Sequence, residues 1–132
     1  MNRFPLLLLL FCSLSFASYS QADTTLLSPD AFEKAISGEK AQLVDVRTPE
    51  EFDAGHIAGA KNVSILEGDF ERKLKEFQGK PLLLHCASGS RSARALTKMR
   101  NLRVPEIYHM DGGMKAWKDS GKGVMKTPPG EK

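Results

Sequence analysis

An apolar run, Pro81-Leu82-Leu83-Leu84-His85, ends at Cys86 and leads at once into Ala87-Ser88-Gly89-Ser90-Arg91-Ser92-Ala93-Arg94. The run has the length and apolar character of a strand buried on both faces. Ala87, Ser88, Gly89 and Ser90 are small, so the backbone can curl and turn successive N–H groups inward. Such a nest, continued by a helix N-terminus, binds anions. A thiol set in it is favoured as thiolate by hydrogen bonds and by the helix dipole. Arg91 and Arg94 bring positive charge to the exit of the loop. Nucleophile and oxyanion cradle therefore arrive together, the equipment of covalent catalysis. A buried, inert structural cysteine is the competing reading, and strand end, small-residue loop, Gly89, Arg91 and helix start together weigh against it.

The elements that must position this loop can be read on either side of it. Ser28-Pro29-Asp30 starts a helix, with Ser28 as cap, Pro29 at the first helical position and Leu27 able to staple onto Phe32; Gly38 stops it. Ala41 to Arg47, carrying Leu43-Val44-Asp45-Val46, is a buried strand. Thr48-Pro49-Glu50-Glu51 is a capping box that opens a short helix ended by Gly55. Ala60 to Ile65 is a weaker strand. Phe70 to Phe77 is a one-faced helix closed by Gly79. After the Cys86 loop, Ser92 to Leu102 reads as helix from its Ala, Leu, Met, Lys and Arg content. Val104 to Met110 is a strand bent at Pro105, Asp111-Gly112-Gly113 a turn, and Met114 to Lys118 a last short helix whose Trp117 folds onto the core. From Gly121 the tail, 121–132, is expected to be loosely held. Strands alternating with helices predict an α/β fold: one domain, 23–120, with a mostly parallel central sheet and helices on both faces. Ligands bind such sheets outside the carboxyl ends of strands, where Cys86 lies.

The first 22 residues stand apart. Asn2 and Arg3 form a basic start, Phe4 to Phe11 is apolar apart from Pro5, and the run softens into serines before Ser20-Gln21-Ala22. This is short of the roughly 20 apolar residues of a membrane span. It reads as a signal peptide, 1–22, cut after Ala22, with a cut after Ala17 as runner-up, and predicts a periplasmic or secreted product. Cys12 lacks the neighbours of a lipid-anchored cysteine. Removing 22 of the 132 residues leaves 110 and takes away Arg3 alone among the charged ones, so the net charge falls from +3 to +2. So small a charge gives no argument for a nucleic-acid partner. Cys86 becomes the sole cysteine, unable to pair within the chain.

Three segments together resemble a known family. Cys86-x-x-Gly89-x-Arg91-Ser92 after an apolar strand is similar to the active-site loop of single-domain rhodaneses, the thiosulfate sulfurtransferases. Leu43-Val44-Asp45-Val46-Arg47 with Glu50-Glu51-Phe52 and Gly55-His56-Ile57-x-Gly59-Ala60 resembles that family's N-terminal signature. Asp111-Gly112-Gly113-Met114-x-Ala116-Trp117 resembles its C-terminal one. The resemblance implies a rhodanese-like fold and a persulfide mechanism. Thiolate Cys86 attacks the outer sulfur of thiosulfate or a similar sulfane-sulfur donor, sulfite leaves, and cyanide or a thiol later accepts the sulfur. The amides of Ala87, Ser88, Gly89, Ser90 and Arg91 would hold the sulfur, and Arg91 would meet the donor's sulfonate. No metal or organic cofactor is implied. A monomer with no membrane partner after signal removal is expected.

Other readings stay open at this level. The spacing is superficially similar to that of cysteine phosphatases and arsenate reductases, which place five residues between Cys and Arg; here there are four, a ring too tight to seat a tetrahedral phosphate over the sulfur. A persulfide carrier or redox-interaction module with little turnover would show the same residues as an enzyme. His56, between Gly55 and Ile57, is expected to tie backbone together rather than to catalyse. His85 is expected to point away from the nucleophile by strand alternation. Asp45 and Arg47 share a side of their strand and are expected to orient loops.

Overall fold

A computed structural model describes residues 22–38 and 41–130. The expected signal peptide lies, apart from Ala22, outside the described residues. Among the described residues, five strands form one sheet in the order β1-β5-β4-β2-β3, with every neighbouring pair parallel. They are β1 (Asp23–Leu27), β2 (Gln42–Asp45), β3 (Lys61–Asn62), β4 (Leu82–His85) and β5 (Glu106–Met110). The helices are α1 (Pro29–Gly38), α2 (Pro49–Ala54), α3 (Phe70–Leu74), α4 (Ser90–Lys98) and α5 (Gly113–Asp119), and single 3₁₀ turns extend α3 and α4 over Lys75–Phe77 and Met99–Asn101. The expected α/β architecture is present, and β4 is the middle strand.

Alternation along β4 divides the core in two. Leu82, Leu84 and Cys86 face α3 and α4 and pack with Val44, Val46, Phe70, Leu74, Ala95, Met99 and Ile107. Leu83 faces the other way and packs with Phe32, Leu43, Ile57, Met110, Met114 and Trp117, the side covered by α1 and α5. All four residues of β4 are buried, as a strand covered on both faces requires.

Local rules explain the helix starts. Ser28 Oγ accepts from the Ala31 amide at 3.3 Å, and Leu27 joins the cluster that contains Phe32. At α2 the capping box closes completely: Thr48 Oγ1 accepts from Glu51 N at 3.3 Å, and Glu51 Oε2 accepts from Thr48 N at 3.0 Å.

Four boundaries differ from the sequence reading. β1 was not expected; Asp23-Thr24-Thr25-Leu26-Leu27 is a mostly exposed edge strand without the alternation that marks a half-buried one. β3 is reduced to Lys61–Asn62 within the expected 60–65. α4 begins at Ser90 rather than Ser92, because Gly89 takes a left-handed conformation, φ 105°, that turns the chain straight into the helix. The segment after Gly121 is tied back rather than loose. His56 and Met125 exchange both backbone hydrogen bonds, at 2.8 and 2.7 Å, Trp117 Nε1 donates to Gly123 O at 2.9 Å, and Lys122 reaches Asp30 at 2.8 Å and also Glu33. Composition alone hid these contacts, since the partners lie on other elements.

Candidate active site

Cys86 is the first residue beyond β4, and its side chain is buried. The backbone then turns through Ala87, Ser88 and Gly89 into α4. Gly89 N donates to Cys86 Sγ at 3.1 Å. Ser92 Oγ lies 3.4 Å from the same sulfur. Burial alone would push this thiol up, but the Ser92 hydroxyl and the amides of Ser92, Gly89 and Ser88 outweigh it, and the net shift is downward. These are bonds to the charged form, the kind that holds an anion in a desolvated place. Of the residues expected to form the cradle, Ser88 and Gly89 supply amides that act on the sulfur. Ala87, Ser90 and Arg91 shape the ring without a described bond to it.

The donor missing from the sequence reading is Ser92, at that stage an ordinary helix residue. With α4 starting at Ser90, Ser92 is its third residue, still in the first turn, where side chains lean toward the helix N-terminus and so toward Sγ.

Two carbonyls of this turn, those of Cys86 and Ala87, are met by α5. Met114 N donates to Cys86 O at 2.8 Å, and Lys115 N donates to Ala87 O at 2.9 Å. This approach requires glycine at 113. A Cβ there would lie 2.6 Å from Cys86 O and 2.7 Å from Ala87 C, and the residue has φ 58°. Gly113 is thus part of the site rather than only of a turn.

Arg91 does not stand free at the loop exit. Its Nη1 donates to Glu51 Oε2 at 2.7 Å and its Nη2 to Glu51 Oε1 at 2.8 Å. The guanidinium holds the Glu51 carboxyl down at about 2, with burial opposing and the Thr48 amide helping. Glu51 therefore serves twice, capping α2 and gripping α4 across 40 positions of sequence. Arg94 is exposed on the outer side of α4.

A second, fully buried pair stands behind the site. Arg47 Nη2 meets Asp45 Oδ2 at 2.6 Å, its Nε lies 3.0 Å from both carboxylate oxygens, and Nη2 also donates to Gly55 O at 2.8 Å. Asp45 and Arg47 orient the loop after α2, as their shared side suggested. His85 is buried against Phe32, with Nδ1 3.3 Å from Cys86 O and burial pushing its basicity down. It does not reach the sulfur. His56 Nδ1 lies 2.9 Å from Phe52 O, and its ring stacks on Phe52 at 3.9 Å between centroids. Trp117 is core. A depression of about 410 Å³ opens beside the loop, walled by Arg47, Glu51, Ala87, Met114, Lys115 and Lys118 among others.

Comparison with known proteins agrees with this geometry. The model of the rhodanese-like domain matches residues 28–120. The chain is similar to YqhL, an uncharacterized protein of Bacillus subtilis (strain 168), with 44% identity over 78 residues, 59% of this chain and 61% of that protein; it thus spans under two thirds of that relative's length. It is 31% identical over 82 residues to the thiosulfate sulfurtransferase GlpE of Pseudoalteromonas translucida (strain TAC 125), covering 62% of this chain and 77% of the relative. A crystal structure of a rhodanese-related protein from Thermoplasma volcanium superposes with a TM-score of 0.68 at 27% identity, over 78% of this chain and 99% of the other. A buried cysteine cradled by amides at the end of the central parallel strand, with the matched segment spanning most of the described residues, has one consistent reading: this chain belongs to the rhodanese-like domain family.

Proposed function

We propose that the protein is a sulfurtransferase that takes sulfane sulfur from an anionic donor, with thiosulfate as the reference substrate, and passes it to a thiol or to cyanide. The observation that carries this reading is the set of hydrogen bonds converging on Cys86 Sγ from Gly89 N, Ser92 Oγ and the neighbouring amides. The thiolate attacks the outer sulfur of thiosulfate. A new S–S bond forms, the old one breaks, and sulfite departs with its electron pair. The persulfide that remains carries its negative charge on the terminal sulfur, at the level of the loop's inward amides. An acceptor thiolate or cyanide then attacks that sulfur and returns Cys86 as thiolate. Sulfur itself is the carried group, so the scheme needs no organic cofactor. Lys118 on the rim of the adjoining depression, beside Lys115, which is paired with Asp119 at 2.6 Å, favours an anionic donor over a neutral one. The sequence of residues 1–22 supports a site of action in the periplasm or outside the cell.

The test is direct. Thiosulfate should add one sulfur, about 32 Da, to Cys86, and cyanide should remove it as thiocyanate with turnover. Cys86→Ser should do neither while folding normally. Loading without turnover would mark a persulfide carrier; no loading at all would refute sulfur transfer.

A further inference from the structure

Ser92 carries one hydroxyl hydrogen and has three groups within reach of it. Cys86 Sγ lies at 3.4 Å, Gly89 O at 3.2 Å and His109 Nε2 at 2.6 Å. Ser92 and Cys86 are both fully buried and His109 is 8% exposed, so bulk water does not arbitrate among them. The imidazole nitrogen does. With Nε2 bare, this shortest contact claims the hydrogen, and the sulfur faces an oxygen lone pair, which opposes a thiolate. With hydrogen on Nε2, the ring donates to Ser92 Oγ and the hydroxyl hydrogen is released. Between a carbonyl and a charged sulfur the anion is then the stronger acceptor.

The fold brings His109 there from a distance that sequence spacing does not reveal. It lies on β5, which pairs with β4 through Leu84↔His109, and it shares a face with Ile107, which packs in the cluster containing Cys86 and α4. Its ionisable neighbours are Asp111, which favours the protonated ring, and His85 on β4; burial dominates and pushes its basicity down. Protonating the ring would leave Nε2–H in place, so the arrangement does not depend on His109 titrating.

We propose that His109 is a positioning residue for the nucleophile: its Nε2–H donates to Ser92 Oγ and commits the Ser92 hydrogen to Cys86 Sγ, stabilising the thiolate. Its catalytic meaning rests on the sulfurtransferase reading above; its effect on the thiol does not. The rate of Cys86 alkylation by iodoacetamide is to be followed against pH in the full chain carrying Cys12→Ser, so that Cys86 is the sole thiol. Ser92→Ala should raise the midpoint by about one pH unit, a tenfold loss in ionisation constant. His109→Phe should raise it by a smaller, resolvable amount, because the hydroxyl remains but divides between Sγ and Gly89 O. The double variant should rise no further than Ser92→Ala alone, because His109 acts on the sulfur only through the Ser92 hydroxyl. His109→Gln, whose amide can donate to Oγ, should restore most of the loss. Additive single effects, or a His109→Phe midpoint equal to wild type, would overturn the proposal. Should His109→Phe fail to fold by circular dichroism, ring-nitrogen NMR of the unsubstituted histidine decides: hydrogen on Nε2 while Cys86 is ionised supports it, and a bare Nε2 refutes it. Thiosulfate loading is measured on the same wild-type protein. A failure there sinks the sulfurtransferase reading and leaves the result on His109 standing.

Discussion

Replacing Glu51 by glutamine keeps the capping box, since an amide at this helix position can still accept from Thr48 N, but it removes the charge that grips Arg91. The carboxyl of Glu51 drops from 4.5 to about 2 in the folded chain, chiefly through Arg91. At 1.36 kcal/mol per pH unit that drop corresponds to about 3.4 kcal/mol as an upper bound. The Glu51 side chain is 36% exposed, so solvent screening reduces the expected loss to about 1–2 kcal/mol. The sign follows from the direction of the shift. A depressed carboxylate contributes fully above its unfolded value near 4.5, and the contribution fades as pH falls from there toward 2. Urea unfolding at pH 7 should therefore find Glu51→Gln less stable by about 1–2 kcal/mol, and the wild-type advantage should vanish between pH 4.5 and 2. The freed guanidinium of Arg91 should also bind the anionic donor better, lowering the KM for thiosulfate. A variant equal to wild type in stability at pH 7, or an advantage that persists at pH 2, would refute the claim that this pair locks α2 to α4.

Arg91→Ala should raise the KM for thiosulfate more than it slows the reaction of a preformed persulfide with cyanide; equal loss in both half-reactions would assign Arg91 to holding the loop through Glu51. Gly113→Ala should cost at least about 2 kcal/mol, from the left-handed backbone and from the clash with Cys86 O, and should suppress sulfur loading, as thermal unfolding and mass spectrometry can check. Intact mass of protein from an exporting host should show a chain beginning at Asp23; full-length protein in the membrane fraction would contradict export. Aryl phosphates should be inert, and Cys86-dependent hydrolysis without sulfur uptake would replace sulfur chemistry by phosphate chemistry.

Legibility in the sequence followed locality. The strand, nucleophile, loop and helix around Cys86 are contiguous, so apolar run, small residues and Gly89 identify them in order. The capping box at Thr48 is likewise four adjacent residues. Each feature that escaped depends on separated segments. Glu51 is fully explained as a cap, which conceals its grip on Arg91. Ser92 passes unnoticed in a helix named by its Ala, Leu, Met, Lys and Arg content, and only the fold, which sets it third in α4 beside the end of β4, brings its hydroxyl to the sulfur. His109 reaches Ser92 because β5 lies beside β4. Gly113 looks like half of a turn, and its close approach to Cys86 O needs both segments in place. β1 escaped for another reason: an edge strand open to solvent has no buried face to impose a pattern.

The contact between α5 and the Cys86 loop sets when, in the life of the chain, the thiol becomes reactive. A peptide unit that aims its N–H at sulfur must aim its C=O elsewhere, and the donors for Cys86 O and Ala87 O belong to Met114 and Lys115. The first amides of a helix, for their part, have no acceptor within it. Each segment thus supplies what the other lacks, and neither is complete until the last helix has been synthesised and docked. An emerging or unfolded chain lacks the hydrogen bonds that favour the Cys86 thiolate and ionises like a free cysteine, at about 8.5; the stabilised anion comes only on closure. A chain that stops before α5 would keep the nucleophile and lose its chemistry, so a truncated product should be inactive rather than indiscriminately reactive.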